Sequence, residues 1–350
     1  MSATLFAAAK HQSQQSLESG KFQNSEQPYQ SGLGDLLKIS KAYFTADRKS
    51  PTPTTEPPLR TITEQELLTD RETPVIYRLG HSSMLIRLDA EYLLIDPVFS
   101  DRASPVQWMG PKRFHPVPVA LDSLPSIKAV IISHDHYDHL DKASIQALAD
   151  RVEHFLTPLG VGQYLRDWGI DSSRIKELDW WQQDSIGTLT FTATPAQHFS
   201  GRGLMDRDQT LWAGWAIEGR QAKLFFSGDS GYFSGFKEIG ERLGPFDLTM
   251  IETGAYNRLW SKIHMLPEQS VQAHIDLKGK AMLPIHNSTF DLALHDWHEP
   301  LEQAYEISQR RAVKLLTPIM GEPVSILNPA AQTAWWREVL SEDTPQLAME

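Results

Sequence analysis

From about Pro74 onward, short apolar segments alternate with turn residues, and the spacing of their apolar positions sorts them into two kinds. Short runs rich in Val, Ile, Leu, Phe and Thr read as strands: Val75–Leu79, Ser83–Leu88, Tyr92–Ile95, Ala129–Ser133, Leu189–Thr194, Trp212–Glu218, Lys223–Ser227 and Leu248–Glu252. Helices are expected at Lys142–Asp150, Gly162–Trp168, Phe236–Leu243, Pro267–Leu277 and Glu299–Arg311. Hairpin-like pairs come first and strand–helix alternation follows. That order predicts an α/β fold in which helices cover two sheets.

The beginning of the chain has a different texture. Residues 1 to about 31 are rich in Gln, Ser and Gly, and read as a mobile or draped tail. In Gly32–Ala46, Leu33, Leu36, Leu37, Tyr43 and Phe44 fall on one helical face. Such a face packs on the domain, or contacts a partner subunit or a membrane surface. Ser50–Pro58, with four prolines, reads as a linker. The expected organisation is an extension over residues 1–58 and a single domain over residues 59–350.

Composition narrows the function classes. The 350 residues are 41% hydrophobic and 22% charged, an ordinary globular balance. A formal net charge of −11 gives no bulk attraction for nucleic acid or anionic lipid. There is no cysteine, so disulfides and thiolate ligands are excluded, and any metal site must use His, Asp and Glu. No apolar run reaches the length of a membrane span. The short apolar piece Leu5–Ala9 has no basic segment before it, so no signal peptide is expected and a cytoplasmic location is.

The chemistry concentrates in His134, Asp135, His136, Tyr137, Asp138 and His139, directly after the apolar run Ala129–Ile132. Three imidazoles and two carboxylates on one short loop compete or repel unless a cation takes them up. The loop joins a strand to a helix, where α/β folds place ligands. His134 and His136 can face one side of an extended chain, and Asp138 and His139 a second position beyond the turn. Three later polar residues also follow apolar strands: His198 in T-P-A-Q-H-F, Asp229 in F-F-S-G-D-S and His286 in L-P-I-H-N. The donors suffice for two cations.

The run H-D-H-Y-D-H, the strand-end His, the G-D and the last strand-end His resemble the metallo-β-lactamase superfamily. Arg102–Phe114 (R-A-S-P-V-Q-W-M-G-P-K-R-F), Glu177–Trp181, Gly228–Tyr232, Arg242–Leu248 and Gly254–Tyr256 resemble its N-acyl-phosphatidylethanolamine-hydrolysing phospholipase D branch and the bacterial relatives of that branch. The resemblance covers roughly residues 59–300. It implies a four-layer αββα sandwich with the metal site at one edge of the two sheets. It implies one ion on His134, His136 and His198, another on Asp138, His139 and His286, and Asp229 bridging them. Zinc is the usual metal of the family, and iron or manganese fits the same donors. Phe199, the pair Glu252–Thr253 and the pair Asn287–Ser288 depart from the phospholipase branch.

Two cations about 4 Å apart can share a water and bring its pKa to about 7, making a hydroxide nucleophile. The expected activity is therefore hydrolysis of a phosphodiester, with a lactone or carboxylic ester as the alternative and a non-catalytic binding protein as the third reading. The substrate would be a small or lipid-like molecule, with peripheral membrane contact or a homo-oligomer compatible with the chain. Asp135, between two ligands, is a candidate proton handler or a structural hydrogen-bond acceptor. Asp96 is expected to accept from the N–H of a ligand His, or to form a turn before Pro97. His81 is expected beside the site in a structural role. His264 resembles a pocket histidine of the phospholipase branch and is a candidate contact to substrate. Tyr256 and His295 are weaker pocket candidates, and the pair Trp180 and Trp181 reads as core.

Overall fold

The computed structural model describes residues 14–15, 20–29, 38–39, 41–42, 45–69, 72–203, 205–330 and 333–343. A two-residue antiparallel pair, β1 (Gln14–Gln15) and β2 (Phe22–Gln23), comes first. The next six strands are β3 (Val75–Gly80), β4 (Ser83–Leu88), β5 (Glu91–Ile95), β6 (Ile127–Ile131), β7 (Val152–Pro158) and β8 (Ile175–Leu178). With β15 (Pro323–Ser325) they form a seven-stranded sheet of order β15-β3-β4-β5-β6-β7-β8. The second sheet holds β9 (Gln183–Ile186), β10 (Leu189–Thr194), β11 (Gly214–Glu218), β12 (Lys223–Phe226), β13 (Leu248–Glu252) and β14 (Met282–Ile285), in order β14-β13-β12-β11-β10-β9.

Strand alternation divides the side chains between layers. Met84, Ile86 and Leu88 of β4 join Leu224 and Phe226 of β12 and Leu248 and Met250 of β13 in one buried cluster between the sheets. Leu85 of β4 points the other way, towards Ile145 and Leu148 of α2 (Lys142–Leu148) and Leu165 of α3 (Gly162–Asp167). Phe225 and Ile251 face Phe236 and Ile239 of α4 (Gly235–Arg242), Val271 of α5 (Pro267–Asp276) and Ile307 of α6 (Glu299–Arg311). Helix, sheet, sheet and helix thus stack in four layers, as expected.

Strands Ser83–Leu88, Leu189–Thr194 and Leu248–Glu252 and helix Glu299–Arg311 have the expected bounds. The strand expected at Ala129–Ser133 occupies Ile127–Ile131 instead. It ends early because the Ser133 N–H donates to the Asp96 carboxylate at 2.7 Å rather than to a strand carbonyl. Strands β7, β8, β9 and β15 escape the sequence pattern. β7 has Glu153 and His154 directly after its first residue and closes on Pro158, and β9 is Gln-Asp-Ser-Ile, so neither has a clean apolar period. Pairing with β6 and β10 holds them. Two further helices lie outside the expected set, α1 (Glu64–Leu68) and α7 (Trp335–Asp343).

Of the helix expected over Gly32–Ala46, Lys38, Ile39, Lys41, Ala42 and Thr45 are helical. Its apolar face, Leu33, Leu36, Leu37, Tyr43 and Phe44, lies outside the described residues. Residues 20–29 are draped: Phe22 is buried in the inter-sheet cluster, and its N–H donates to Asp208 O at 2.8 Å. No described helix is long and apolar enough to cross a membrane.

Candidate metal centre

The parallel strands β5, β6, β12, β13 and β14 end at one edge of the sandwich, and each delivers a polar residue there. Asp96 follows β5, His134 follows β6, Asp229 follows β12, Glu252 closes β13 and His286 follows β14. His81 lies between β3 and β4, where an isolated bridge to Asn287 ties the two sheets together. The backbone bends hard at this edge. His81, Asp96, His286 and Ser288 have φ of 49, 39, 65 and 60°, in the left-handed region that side chains rarely adopt. Gly254 is required by close approach, since a Cβ there would stand 1.9 Å from His286 O.

The side chains converge. His134 Nε2 lies 2.9 Å from His136 Nδ1, which lies 3.3 Å from His198 Nε2. His286 Nε2 is 3.2 Å and His139 Nε2 3.6 Å from Asp138 Oδ2. Asp229 stands between these groups. Its oxygens are 2.9 Å from His286 Nε2, 3.2 Å from His139 Nε2, 3.9 Å from His198 Nε2 and 4.0 Å from His134 Nε2. His81 Nε2 donates to Asp138 Oδ2 at 3.1 Å, which places it inside the donor cluster rather than merely beside it.

Three of the remaining ring nitrogens are tied to the fold, which sets the tautomers of those rings. His139 Nδ1 donates to Asp96 at 2.7 Å, and Ser133 Oγ donates to the same carboxylate oxygen at 2.5 Å. His134 Nδ1 then donates to Ser133 Oγ at 2.9 Å, and His198 Nδ1 to Ile263 O at 3.0 Å. Each of these three rings is left with its Nε2 facing the cluster.

The donor set fits a cation. His139 Nε2, His286 Nε2 and Asp229 Oδ1 are buried and make no hydrogen bond among the described residues. Burial pushes His134, His136 and His198 below the usual imidazole range, so they stand neutral, as ligation requires. Burial acts the same way on His139 and His286, but Asp229 and Asp138 outweigh it. His139 is raised well above its ordinary value and His286 to about 10. The carboxyls of Asp138 and Asp229 are held well below theirs: burial opposes this, and the imidazolium charge of His139 prevails. Two protons therefore balance the carboxylates where a divalent cation can.

The contacts of Asp135 are those of a structural hydrogen-bond acceptor. Its carboxylate accepts from Gly201 N at 2.8 Å and Thr210 Oγ1 at 2.9 Å, with Tyr164 OH 3.4 Å away. It braces the loops around the cluster and belongs to none of the donor groups. Tyr256 and His295 do meet, stacked at 4.6 Å, but they line a separate cavity of about 760 Å³ between the starts of α5 and α6. No cluster residue lines that cavity, and Tyr256 OH donates to Glu299 at 2.7 Å. Trp180 is buried core.

His264 does reach the cluster, with Nδ1 4.0 Å from Asp229 Oδ2. The same nitrogen donates to Glu252 Oε1 at 2.6 Å. Glu252 is fully buried, and burial pushes its carboxyl up against the pull of His264. Sequence reading marked Glu252 only as a departure from the phospholipase pattern. Its position at the end of an apolar strand, like Asp96, was the available signal.

Comparisons with known proteins identify the family. The Beta-lactamase superfamily domain matches residues 91–287. An uncharacterized protein of Mycobacterium tuberculosis is 47% identical over 262 residues, 74% of this chain and 70% of that protein. N-acyl-phosphatidylethanolamine-hydrolyzing phospholipase D 1 of Caenorhabditis elegans is 35% identical over 262 residues, 70% of this chain and 73% of its own. A metallo hydrolase from the archaeon Ignicoccus hospitalis shares the fold, with a TM-score of 0.55 at 19% identity over 72% of this chain and 97% of its own. The chain belongs to the metallo-β-lactamase superfamily and is a metal-dependent hydrolase of that family.

Proposed function

We propose that the protein is a dinuclear metal-dependent hydrolase of phosphodiesters, similar to phospholipase D in its chemistry. The observation that carries this reading is the position of Asp229, within 4.0 Å of imidazoles from both ends of the cluster. His134, His136 and His198 would hold one ion, and Asp138, His139 and His286 the other, with Asp229 shared. Zinc suits these donors, and so do iron and manganese. A bound pair would supply an acidified water and offset charge growing on a phosphoryl oxygen.

The remaining work falls to the chain's own residues. Asp96 fixes the His139 ring. Asp138 and His264, at 16% and 13% exposure, and the half-buried His136 are the cluster side chains that solvent reaches, so substrate enters past them. Glu252 occupies His264 Nδ1, which leaves Nε2 to contact substrate and to move the leaving-group proton. Phosphodiester cleavage is favoured by similarity to the worm phospholipase and by the fit of paired cations to that reaction.

The departures from the phospholipase branch bear unequally on the substrate. Asn287 is absorbed by the fold: its Oδ1 accepts from the buried Arg78 at 2.8 Å and its Nδ2 donates to Ile285 O at 2.9 Å. Phe199 packs on His136 at 4.5 Å between ring centroids, and Glu252 grips His264. These two alter the approach to the cluster and favour a lactone or carboxylic ester as the second reading. Assays on bis(p-nitrophenyl) phosphate and a simple lactone, with and without chelator, decide between them. Chelator-sensitive phosphodiester cleavage is expected. Activity on the lactone alone selects the second reading. Activity on neither, with metal confirmed by elemental analysis, selects a binding protein.

A further inference from the structure

We propose that residues 22–27 form a clasp over the cluster, in which Asn24 is a positioning residue for His198. The proposal rests on the reading above, in which His198 holds a cation. It adds a component that lies outside the matched domain, 67 positions before its first residue, since that match begins at residue 91.

His198 is one of the cluster members that no strand carries. It lies four residues beyond the end of β10, on the connection to β11, where no strand ladder holds its backbone. Asn24 supplies what the ladder does not. The His198 N–H donates to Asn24 Oδ1 at 3.0 Å, and Asn24 Nδ2 donates to His198 O at 2.8 Å. One carboxamide thus satisfies both backbone groups, as a neighbouring strand residue would. The same Oδ1 accepts from Trp212 Nε1 at 3.0 Å. Trp212 is 2% exposed in the inter-sheet cluster, and its Nε1 also donates to Ala196 O at 3.1 Å. Asn24 therefore joins the His198 loop to the rigid interior.

The segment is itself anchored on both sides of Asn24. Before it, the Phe22 side chain is buried among the sheets and the Phe22 N–H donates to Asp208 O. After it, Glu26 Oε2 accepts from Ser234 N at 2.9 Å, and Gln27 O accepts from the Gln197 side chain. These contacts fix residues 22–27 across the loops that carry His198 and follow Asp229. The residue type is specific to the task. Aspartate at position 24 keeps the accepting bonds and loses the donating one; alanine loses both.

The test uses the full-length protein and counts bound ions. Wild type, His198→Ala, Asn24→Ala and Asn24→Asp are loaded with zinc or cobalt, titrated against a competing chelator, and analysed for metal content and cobalt absorption. Asn24→Ala is expected to hold one of its ions about ten- to a hundredfold more weakly, with an altered cobalt spectrum and the other ion retained. Asn24→Asp is expected to fall between this variant and wild type. It carries the test should Asn24→Ala not fold. If His198→Ala loses an ion and both Asn24 variants keep wild-type affinity and spectrum, the clasp is wrong and the metal assignment stands. If wild type binds no ion, or His198→Ala loses none, the metal assignment falls and takes the clasp with it.

Discussion

The two ends of the cluster are built from different chemistry. At one end stand His134, His136 and His198, three imidazoles that burial keeps neutral. At the other, Asp138 sits among His81, His139 and His286, and carboxylates raise the last two above their ordinary range. Asp229 touches both. One sheet edge thus carries two unequal sets of donors, an imidazole end and a mixed end. The difference teaches that affinity and charge balance need not be set together. The imidazole end offers good ligands without repelling a negative substrate, and the mixed end neutralises more of its ion's charge.

The largest effect should come from removing what the two ends share. Asp229→Ala is expected to empty both, with metal content falling from about two ions per chain to near zero and hydrolysis dropping on the order of 10³-fold. Elemental analysis beside a rate measurement checks it. Retention of one firmly held ion would show that Asp229 belongs to one end alone.

Next come the variants that separate the ends. His198→Ala should lose the ion of the imidazole end and His286→Ala that of the mixed end, each leaving about one ion per chain. Loss of both ions from either variant would mean that the ends are a single cooperative site. Asp96→Asn should then act on the mixed end alone, through the His139 ring it orients. It should weaken that ion by roughly 10- to 100-fold, read by chelator competition.

The smallest effect comes from a histidine outside the cluster. His274 is buried on α5 beside Thr249, and burial lowers it to about 4. As pH falls from 6.5 towards 4, the unfolded chain takes up a proton that the folded one refuses. Stability is therefore lost in that window, by up to about 3 kcal/mol. His274→Gln should remove this part of the acid dependence in denaturant titrations at pH 7 and 5, with metal content unchanged.

The sequence made the seven clustered donors legible because each stands where an apolar strand gives out, and apolar strands are easy to see. Asp96 was legible for the same reason. Glu252 obeys the same rule, yet its partner His264 lies 12 positions away on a loop, so the pair formed no visible motif. Asp135 was legible only as one of two alternatives, because adjacency to ligands says nothing about direction; its side chain turns to Gly201 and Thr210. Asn24 gave no signal at all. It lies in a Gln- and Ser-rich stretch whose composition reads as a tail, and only its pairing with His198, 174 positions on, gives it meaning. The same logic explains β9, whose polar sequence becomes a strand only because β10 is there to pair with it.

The left-handed turns at His81, Asp96, His286 and Ser288 carry a consequence for the metal-free protein. Conformations of this kind are each disfavoured by about 1–3 kcal/mol and persist only while their surroundings enforce them. On the proposed assignment a bound ion is part of that enforcement. Withdrawing it would leave the rim of the sandwich straining against itself, so amide hydrogens at these four residues should exchange with solvent well before those of the inner strands do, and a cation would complete the fold as well as the chemistry.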